Sequence, residues 1–234
     1  MLISEQTVQA GIRVLDGKRV YYLAPGDQLT SGARDWLTRQ RVEIIHKAQT
    51  PPREYRTLFG AVLREKPEHM THLQGNLLVA KDHPRIAFRG LIDTLEAEIL
   101  LCQKAAQQEG KTEVCTQMQE VLDFVRRLIR CDVLGEPVGE FRLCGLDAAA
   151  LRERSHHPEK FYGQHHFMPS WQDSATLLWL NRVRTAVRQT ELGCYRAFVT
   201  PDGQVQREDL ILALNRLSSL LWILMIQQKA GKRP

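Results

Sequence analysis

The sequence predicts a mostly α protein: a five-helix antiparallel bundle over residues 71–234, a small N-terminal α+β appendage over residues 1–50, and a linker over residues 51–70. Three observations predict it. From Pro84 onward, apolar residues recur at i, i+3, i+4 and i+7 in four long stretches. Before Lys47 the pattern changes to short β-branched and aromatic runs. Between the helical stretches lie the breakers Gly110, Gly135-Glu136-Pro137 and Pro201-Asp202-Gly203, which leave connections short enough for antiparallel neighbours.

In the appendage, Arg19 to Leu23 reads as a strand ending at the turn Ala24-Pro25-Gly26-Asp27. Thr30 or Ser31 can cap a helix over Ala33 to Arg39, and Val42 to Ile45 reads as a second strand. Pro51-Pro52 and the charged stretch up to Pro67 read as the linker. The first bundle helix spans Pro84 to Gln108 on Phe88, Leu91, Ile92, Leu95, Ile99 and Cys102. The second follows Val114, Met118, Val121, Leu122, Val125, Leu128 and Ile129 until Gly135, Pro137 and Gly139 break it. A short helix is expected over Leu146 to Arg154, with Asp147 in its first turn, and Ser155 to Ser170 reads as a His-rich loop. A further long helix starts near Asp173 and reaches Phe198, and the last carries Leu210, Ile211, Leu214, Leu217, Leu221 and Leu224.

Composition narrows the class. The chain has 234 residues, 43% hydrophobic and 25% charged, which is ordinary for a globular protein and excludes a disordered, fibrous or membrane-spanning one. The apolar run Leu217 to Ile226 is interrupted by Ser218 and Ser219 and is too short to span a bilayer. The N-terminal MLISEQTVQAG has neither a basic nor an apolar leader region, so a cytoplasmic protein is expected. A net charge of +5 suits a small phosphorylated ligand, and a 7% aromatic content without basic interleaving argues against nucleic acid. Cys102, Cys115, Cys131, Cys144 and Cys194 form no CxxC pair and read as reduced, mostly buried thiols.

Several constellations could carry chemistry. Arg184, Arg188 and Glu191 share one helix face. Two guanidiniums one turn apart suit a polyphosphate, with Glu191 orienting Arg188 or accepting a ribose hydroxyl; a solvated ion-pair face is the plainer alternative. Asn215, inside the last helix beside Arg216, Leu217 and Ser218, calls for a specific partner, either a structural hydrogen bond or a ligand. Asp93 lies among Leu91, Ile92 and Leu95 and calls for a cationic partner, for which Arg184 is a candidate. His156, His157, His165 and His166 crowd one loop without a Cys or carboxylate at tight ligand spacing, so no metal site is assigned. Phe161, Phe167 and Met168 make that loop partly apolar, as a lid over a ligand or as an anchor to the bundle. No GxxxxGK[ST], strand-bound GxGxxG or GxSxG occurs, so any ATP is bound without a P-loop.

Five ordered stretches carry a family resemblance: APGDQLTSGARDWLTRQRVEI, THLQGNLLVAKDHPRIAFRGLIDTLEAEI, RCDVLGEPVGEFRLCGL, RTAVRQTE and LNRLSS. Together they resemble the corrinoid (cobalamin) ATP:adenosyltransferases of the ethanolamine-utilisation type and, more distantly, those of the propanediol-utilisation type. The resemblance implies transfer of the 5′-deoxyadenosyl group of ATP to Co(I) of cobalamin with release of triphosphate, Mg²⁺ accompanying the nucleotide. It implies Arg184, Arg188, Glu191 and Asn215 as ATP contacts. Asp93 would be the acid that pairs with Arg184 across a subunit boundary, and Phe167 the corrin-side aromatic. The propanediol type binds triphosphate through an N-terminal Thr-Arg-Lys-Gly-Asp loop that this sequence lacks, and Thr71, His72 and Lys81 are given that role by position and charge. The His and CC-x-x-C cluster common in the ethanolamine type is missing, since Lys47 to His69 contains no Cys, so a transition-metal requirement does not carry over. The resemblance further implies a homo-oligomer, a trimer before a dimer, and partners that include a B12-dependent lyase such as ethanolamine ammonia-lyase, a reductase and a microcompartment shell. A second reading is an adenosylcobalamin-delivery module without catalysis, motivated by the appendage.

Overall fold

The computed structural model describes residues 1–15, 18–46 and 54–231. The chain divides into two compact units, Met1–Glu54 and Tyr55–Pro234. The first contains β1 (Leu2–Ile3), α1 (Glu5–Ala10), β2 (Arg13–Leu15), β3 (Lys18–Leu23), β4 (Gln28–Leu29), α2 (Ser31–Arg39) and β5 (Glu43–His46). Thr30 caps α2 by accepting a hydrogen bond from the Ala33 amide at 3.2 Å. That helix links β3 to β5, which pair in parallel from Val20↔Glu43 to Leu23↔His46, while β2 pairs antiparallel on the other side of β3. Ala33 and Leu37 bury against Ile3, Val8, Tyr21, Leu23 and Val42, giving this unit its own core. The α+β reading is therefore met.

The second unit opens with β6 (Tyr55–Thr57), β7 (Val62–Leu63), β8 (Met70–Gln74) and β9 (Leu77–Ala80), in the sheet order β7-β6-β9-β8. This corrects the linker expected over residues 51–70. Pro51 and Pro52 lie outside the described residues, but Tyr55 onward is sheet. Strands of two or three residues show no readable alternation, and only Leu73, Leu78 and Val79 of this sheet are buried.

The bundle follows: α3 (Pro84–Gln108), α4 (Thr112–Leu134), a hairpin of β10 (Arg142–Leu143) and β11 (Leu146–Asp147), α5 (Ala148–His156), α6 (Pro158–Tyr162), α7 (Ala175–Phe198) and α8 (Glu208–Lys229). The mostly α class holds, with four long helices and α5 as expected. Asp147 is the N-cap of α5 and accepts from the Ala150 amide at 2.8 Å, one step outside its predicted place in the first turn. Part of the expected loop after Ser155 is helical, because Pro158 starts α6 and Gly163, at φ 66°, ends it.

Cross-helix contacts fix the packing. Arg126 meets Glu96 at 3.0 Å and Gln103 donates to the Cys115 carbonyl, so α3 and α4 run antiparallel. Arg182 meets Glu98 at 2.7 Å and Arg85 stacks over Phe198, so α3 and α7 are also antiparallel. The core collects Phe88, Ile92, Leu95 and Ile99 from α3, Met118, Val121, Val125 and Leu128 from α4, Leu180, Val183 and Val187 from α7, and Leu210, Leu214, Leu217 and Leu221 from α8. By length and composition α8 could cross a membrane, but its apolar residues fill this core, which accounts for its hydrophobicity.

Charge is balanced at the end where α3 begins. Asp132 is fully buried and receives Arg85 at 2.8 Å and Arg89 at 2.6 Å. Arg89 also donates to the Leu73 carbonyl at 3.0 Å, tying β8 to α3. Removing one partner of such a cluster leaves charge without its counterpart, so Asp132→Asn should lose about 3–5 kcal/mol in a urea unfolding titration.

At the other end Glu109 accepts from the Thr176 hydroxyl at 2.7 Å and meets the Lys111 ammonium at 2.7 Å. Burial pushes the Glu109 carboxyl up, but the Lys111 and Thr176 hydrogen bonds outweigh it and hold the group at about 2, against an ordinary 4.5. A lowered folded-state value adds stability that is complete above the unfolded value and is lost as pH falls from about 4.5 to about 2. Glu109→Gln should therefore lower Tm at pH 7, and the gap from wild type should close as thermal unfolding is repeated towards pH 2.

Candidate active site

Two polar stripes face each other along the seam between α7 and α8. On α7, Asn181, Arg184, Arg188 and Glu191 recur at helical spacing, and on α8 so do Asn215, Ser218, Ser219 and Trp222. Between them lies an open cavity of about 610 Å³ that the loop after α6 walls with Phe167, Met168 and Pro169. Ser155 and His156 close another side. The cavity combines a cationic floor with an apolar wall.

The arginines are set for an anion. Arg184 donates through Nε and Nη2 to the Asn181 Oδ1, at 3.3 and 2.9 Å, and meets no carboxylate among the described residues. Burial, and Arg188 beside it, push its pKa down from the ordinary arginine value. Arg188 is exposed and makes no hydrogen bond or ion pair among the described residues. Glu191 does not orient Arg188. It accepts from the Asn215 side-chain amide at 2.9 Å, and the Asn215 Oδ1 accepts from Arg216 at 2.6 Å. Asn215 thus has the specific mid-helix partners that its placement called for. The solvated ion-pair reading fails here, because the two arginines have no acid to pair with.

Phe167 lies against α8 with its ring stacked on Trp222, centroids 5.4 Å apart. Met168 is exposed at the cavity edge, whereas Phe161 packs on the bundle beneath Arg154 and Lys160. The other expected residues are not gathered here. Thr71 and His72 lie on β8 and Lys81 just past β9, near the start of α3, and none lines the cavity. The His72 ring sits edge-on to Tyr55 at 5.6 Å. Asp93 is exposed on α3 and has no ion pair among the described residues, so Arg184 is not its partner within one chain.

The loop histidines are dispersed: His156 faces the cavity, His157 lies 3.8 Å from Glu159, and His166 bonds Trp222. Among the described residues no group of three His, Cys, Asp or Glu is close enough to hold a metal ion. All five cysteines are free thiols, and burial pushes Cys102, Cys144 and Cys194 up to about 12, leaving them protonated and unreactive. Asn181, Ser219 and Trp222 are among the cavity residues that sequence reasoning passed over. The available signal was the second polar stripe: Asn215, Ser218, Ser219 and Trp222 repeat the helical spacing of the arginine stripe.

The cobalamin adenosyltransferase family profile matches residues 61–228. The corrinoid adenosyltransferase EutT of Escherichia coli (strain K12) is 34% identical over 96% of this chain and 91% of its own length. That of Salmonella typhimurium is 27% identical over 99% of this chain and 98% of its own length. No solved structure matches. The resemblance read from five short stretches therefore extends over the whole chain, and the protein belongs to the cobalamin adenosyltransferase family, as an enzyme of the EutT type.

Proposed function

We propose that the protein joins the 5′ carbon of ATP to the cobalt of reduced cobalamin in the seam between α7 and α8. The electron pair of Co(I) forms the cobalt–carbon bond, the bond from C5′ to the phosphate oxygen breaks, and triphosphate leaves with the two electrons of that C–O bond. The protein then needs no nucleophile of its own. It must hold C5′ in line, stabilise the charge growing on the leaving oxygen, and exclude water. The observation that carries this reading is the pair Arg184 and Arg188, cationic and without an acid, beside the apolar wall of Phe167, Met168 and Pro169.

Arg188 is assigned to the polyphosphate, where it makes hydrogen bonds that strengthen as the leaving group charges. Arg184, steadied by Asn181, is assigned to the same phosphates. The amide–carboxylate pair of Asn215 and Glu191 offers donors and an acceptor for the ribose and base. Phe167 is assigned to the corrin, where an aromatic face displaces water and the lower ligand. No carboxylate lines the cavity directly and Glu191 is engaged by Asn215, so the residues present do not fit Mg²⁺ as a resident ion; Mg²⁺ belongs to the nucleotide as it arrives.

Thr71, His72 and Lys81 are assigned to the triphosphate of a site shared with a second copy. Asp93 is assigned to the Arg184 of that copy, since both groups lack an oppositely charged partner among the described residues. A trimer closes such a ring of head-to-tail contacts, and a dimer is the other arrangement. The product would supply a B12-dependent lyase such as ethanolamine ammonia-lyase in or beside a microcompartment, with a separate reductase providing the electron.

The direct test mixes protein, ATP, Mg²⁺ and chemically reduced Co(I) cobalamin under anaerobic conditions, without transition metal. A light-sensitive alkylcobalamin spectrum and released triphosphate are expected. No spectral change from folded protein would leave only the delivery reading. Charge-assisted hydrogen bonds are worth about 1.5–3 kcal/mol, so Arg188→Ala should lower kcat/KM about 10- to 150-fold. Its Tm should stay close to the wild-type value, because Arg188 is exposed and unpaired among the described residues.

A further inference from the structure

Trp222 touches both halves of the site. It lies seven residues after Asn215 on α8, so its half-buried indole faces the same seam. Three groups meet on that ring. Its Nε1–H donates to the Nδ1 of His166 at 3.1 Å. The Phe167 ring stacks on it at 5.4 Å and 20°. The Arg184 guanidinium lies 5.7 Å from its centroid. One turn-pair further along the same face, Lys229 covers Phe167 at 5.5 Å and holds Asp173, at the far end of the loop, at 2.5 Å. The loop that walls the cavity is thus fastened to α8 at two points, and the first of them is also the surface on which Arg184 rests.

The geometry points to Trp222 as a positioning residue that couples the nucleotide and corrin halves of the site, so that either substrate strengthens binding of the other. The physical argument is one of ordering. A ligand that draws Arg184 into one position steadies the indole, and with it His166 and Phe167, so the second ligand meets a wall already in place. Ring stacking and cation–π contact each require the indole in one orientation. By reciprocity the effect must run equally from corrin to nucleotide. This inference rests on the reading of the cavity as the ATP and corrinoid site.

The test uses ATP and Co(II) cobalamin, which lacks the electron pair for transfer, so both can be titrated without turnover. The Kd of ATP is measured on the full-length protein with and without Co(II) cobalamin, in wild type, Trp222→Phe and Trp222→Leu. Wild type should show about two- to tenfold tighter ATP binding with the corrinoid present, the range that one aromatic contact supports. Trp222→Phe, which keeps a ring but loses the Nε1 donor, should retain part of it. Trp222→Leu should bring the ratio to about one while still binding each substrate alone. A purely structural role would weaken ATP binding equally with and without corrinoid, and an unchanged ratio in Trp222→Leu overturns the coupling. Two substrates that bind wild type independently overturn it while the functional reading stands, and wild type that binds neither overturns both. If Trp222→Leu does not fold, a cycle of Arg184→Lys and Phe167→Leu replaces it. Non-additivity of about twofold or more in the joint affinity supports the relay, and additive effects overturn it.

Discussion

The site depends on one electrostatic constraint: two arginines a single turn apart on α7 are kept without an acid among the described residues. Like charges at that spacing oppose the helix by about 0.2–0.5 kcal/mol, and the half-buried Arg184 gives up hydration besides. The cost is small beside the burial of the four apolar stripes that pack α3, α4, α7 and α8 together. In the reading proposed above, the bundle therefore holds an unfavourable pair ready for a ligand whose phosphates supply the missing charge. Binding then completes an ion-pair arrangement that folding leaves open, and little reorganisation remains at the moment of reaction.

The sequence discloses the bundle because long helices repeat their instruction. Each of α3, α4, α7 and α8 repeats its buried stripe over several successive turns, and Gly110, Gly135 and Pro201 separate them. Short elements offer no such repetition. The strands over Tyr55–Thr57 and Val62–Leu63 sit among Arg, Glu and Lys, and the first of them joins the rest of its sheet through partners some 20 residues on, at Leu77 and Leu78, so the stretch looks like a linker. The same holds for α6, a single turn set by Pro158 and Gly163.

Within the site, the arginine stripe is legible and its surroundings are not. Spacing places Arg184, Arg188 and Glu191 on one face, but it cannot say that Glu191 turns to Asn215 and leaves Arg188 alone, since that choice is made by α8. Trp222 hides for a related reason. An aromatic residue in an apolar run reads as core, and only the loop folded over it reveals a shared surface. Asp93 is the reverse case: its sequence context asks for a cation, yet the folded chain leaves it exposed, which turns the question towards a neighbouring copy.

The contrast between Arg182 and Arg184 separates structural from functional charge on one helix. The two side chains are two residues apart and so point about 200° apart around α7. Arg182 turns to α3 and meets Glu98 at 2.7 Å. Arg184 turns to the seam with α8, where it meets the Asn181 amide of its own helix and the Trp222 indole of α8, with Arg188 beside it. Arg85, Arg89, Arg126 and Arg207 follow Arg182, each matched to an acid: Asp132 for the first two, Glu96 for Arg126 and Asp209 for Arg207. A matched arginine has its charge already answered, and a phosphate arriving there would have to displace a carboxylate. An unmatched one gains the whole interaction from the ligand. The alternation in Arg182-Val183-Arg184 therefore sends one cation to hold the bundle and turns the next to the cavity, where the proposed reading gives it the substrate's phosphates, with Val183 buried between them in the core.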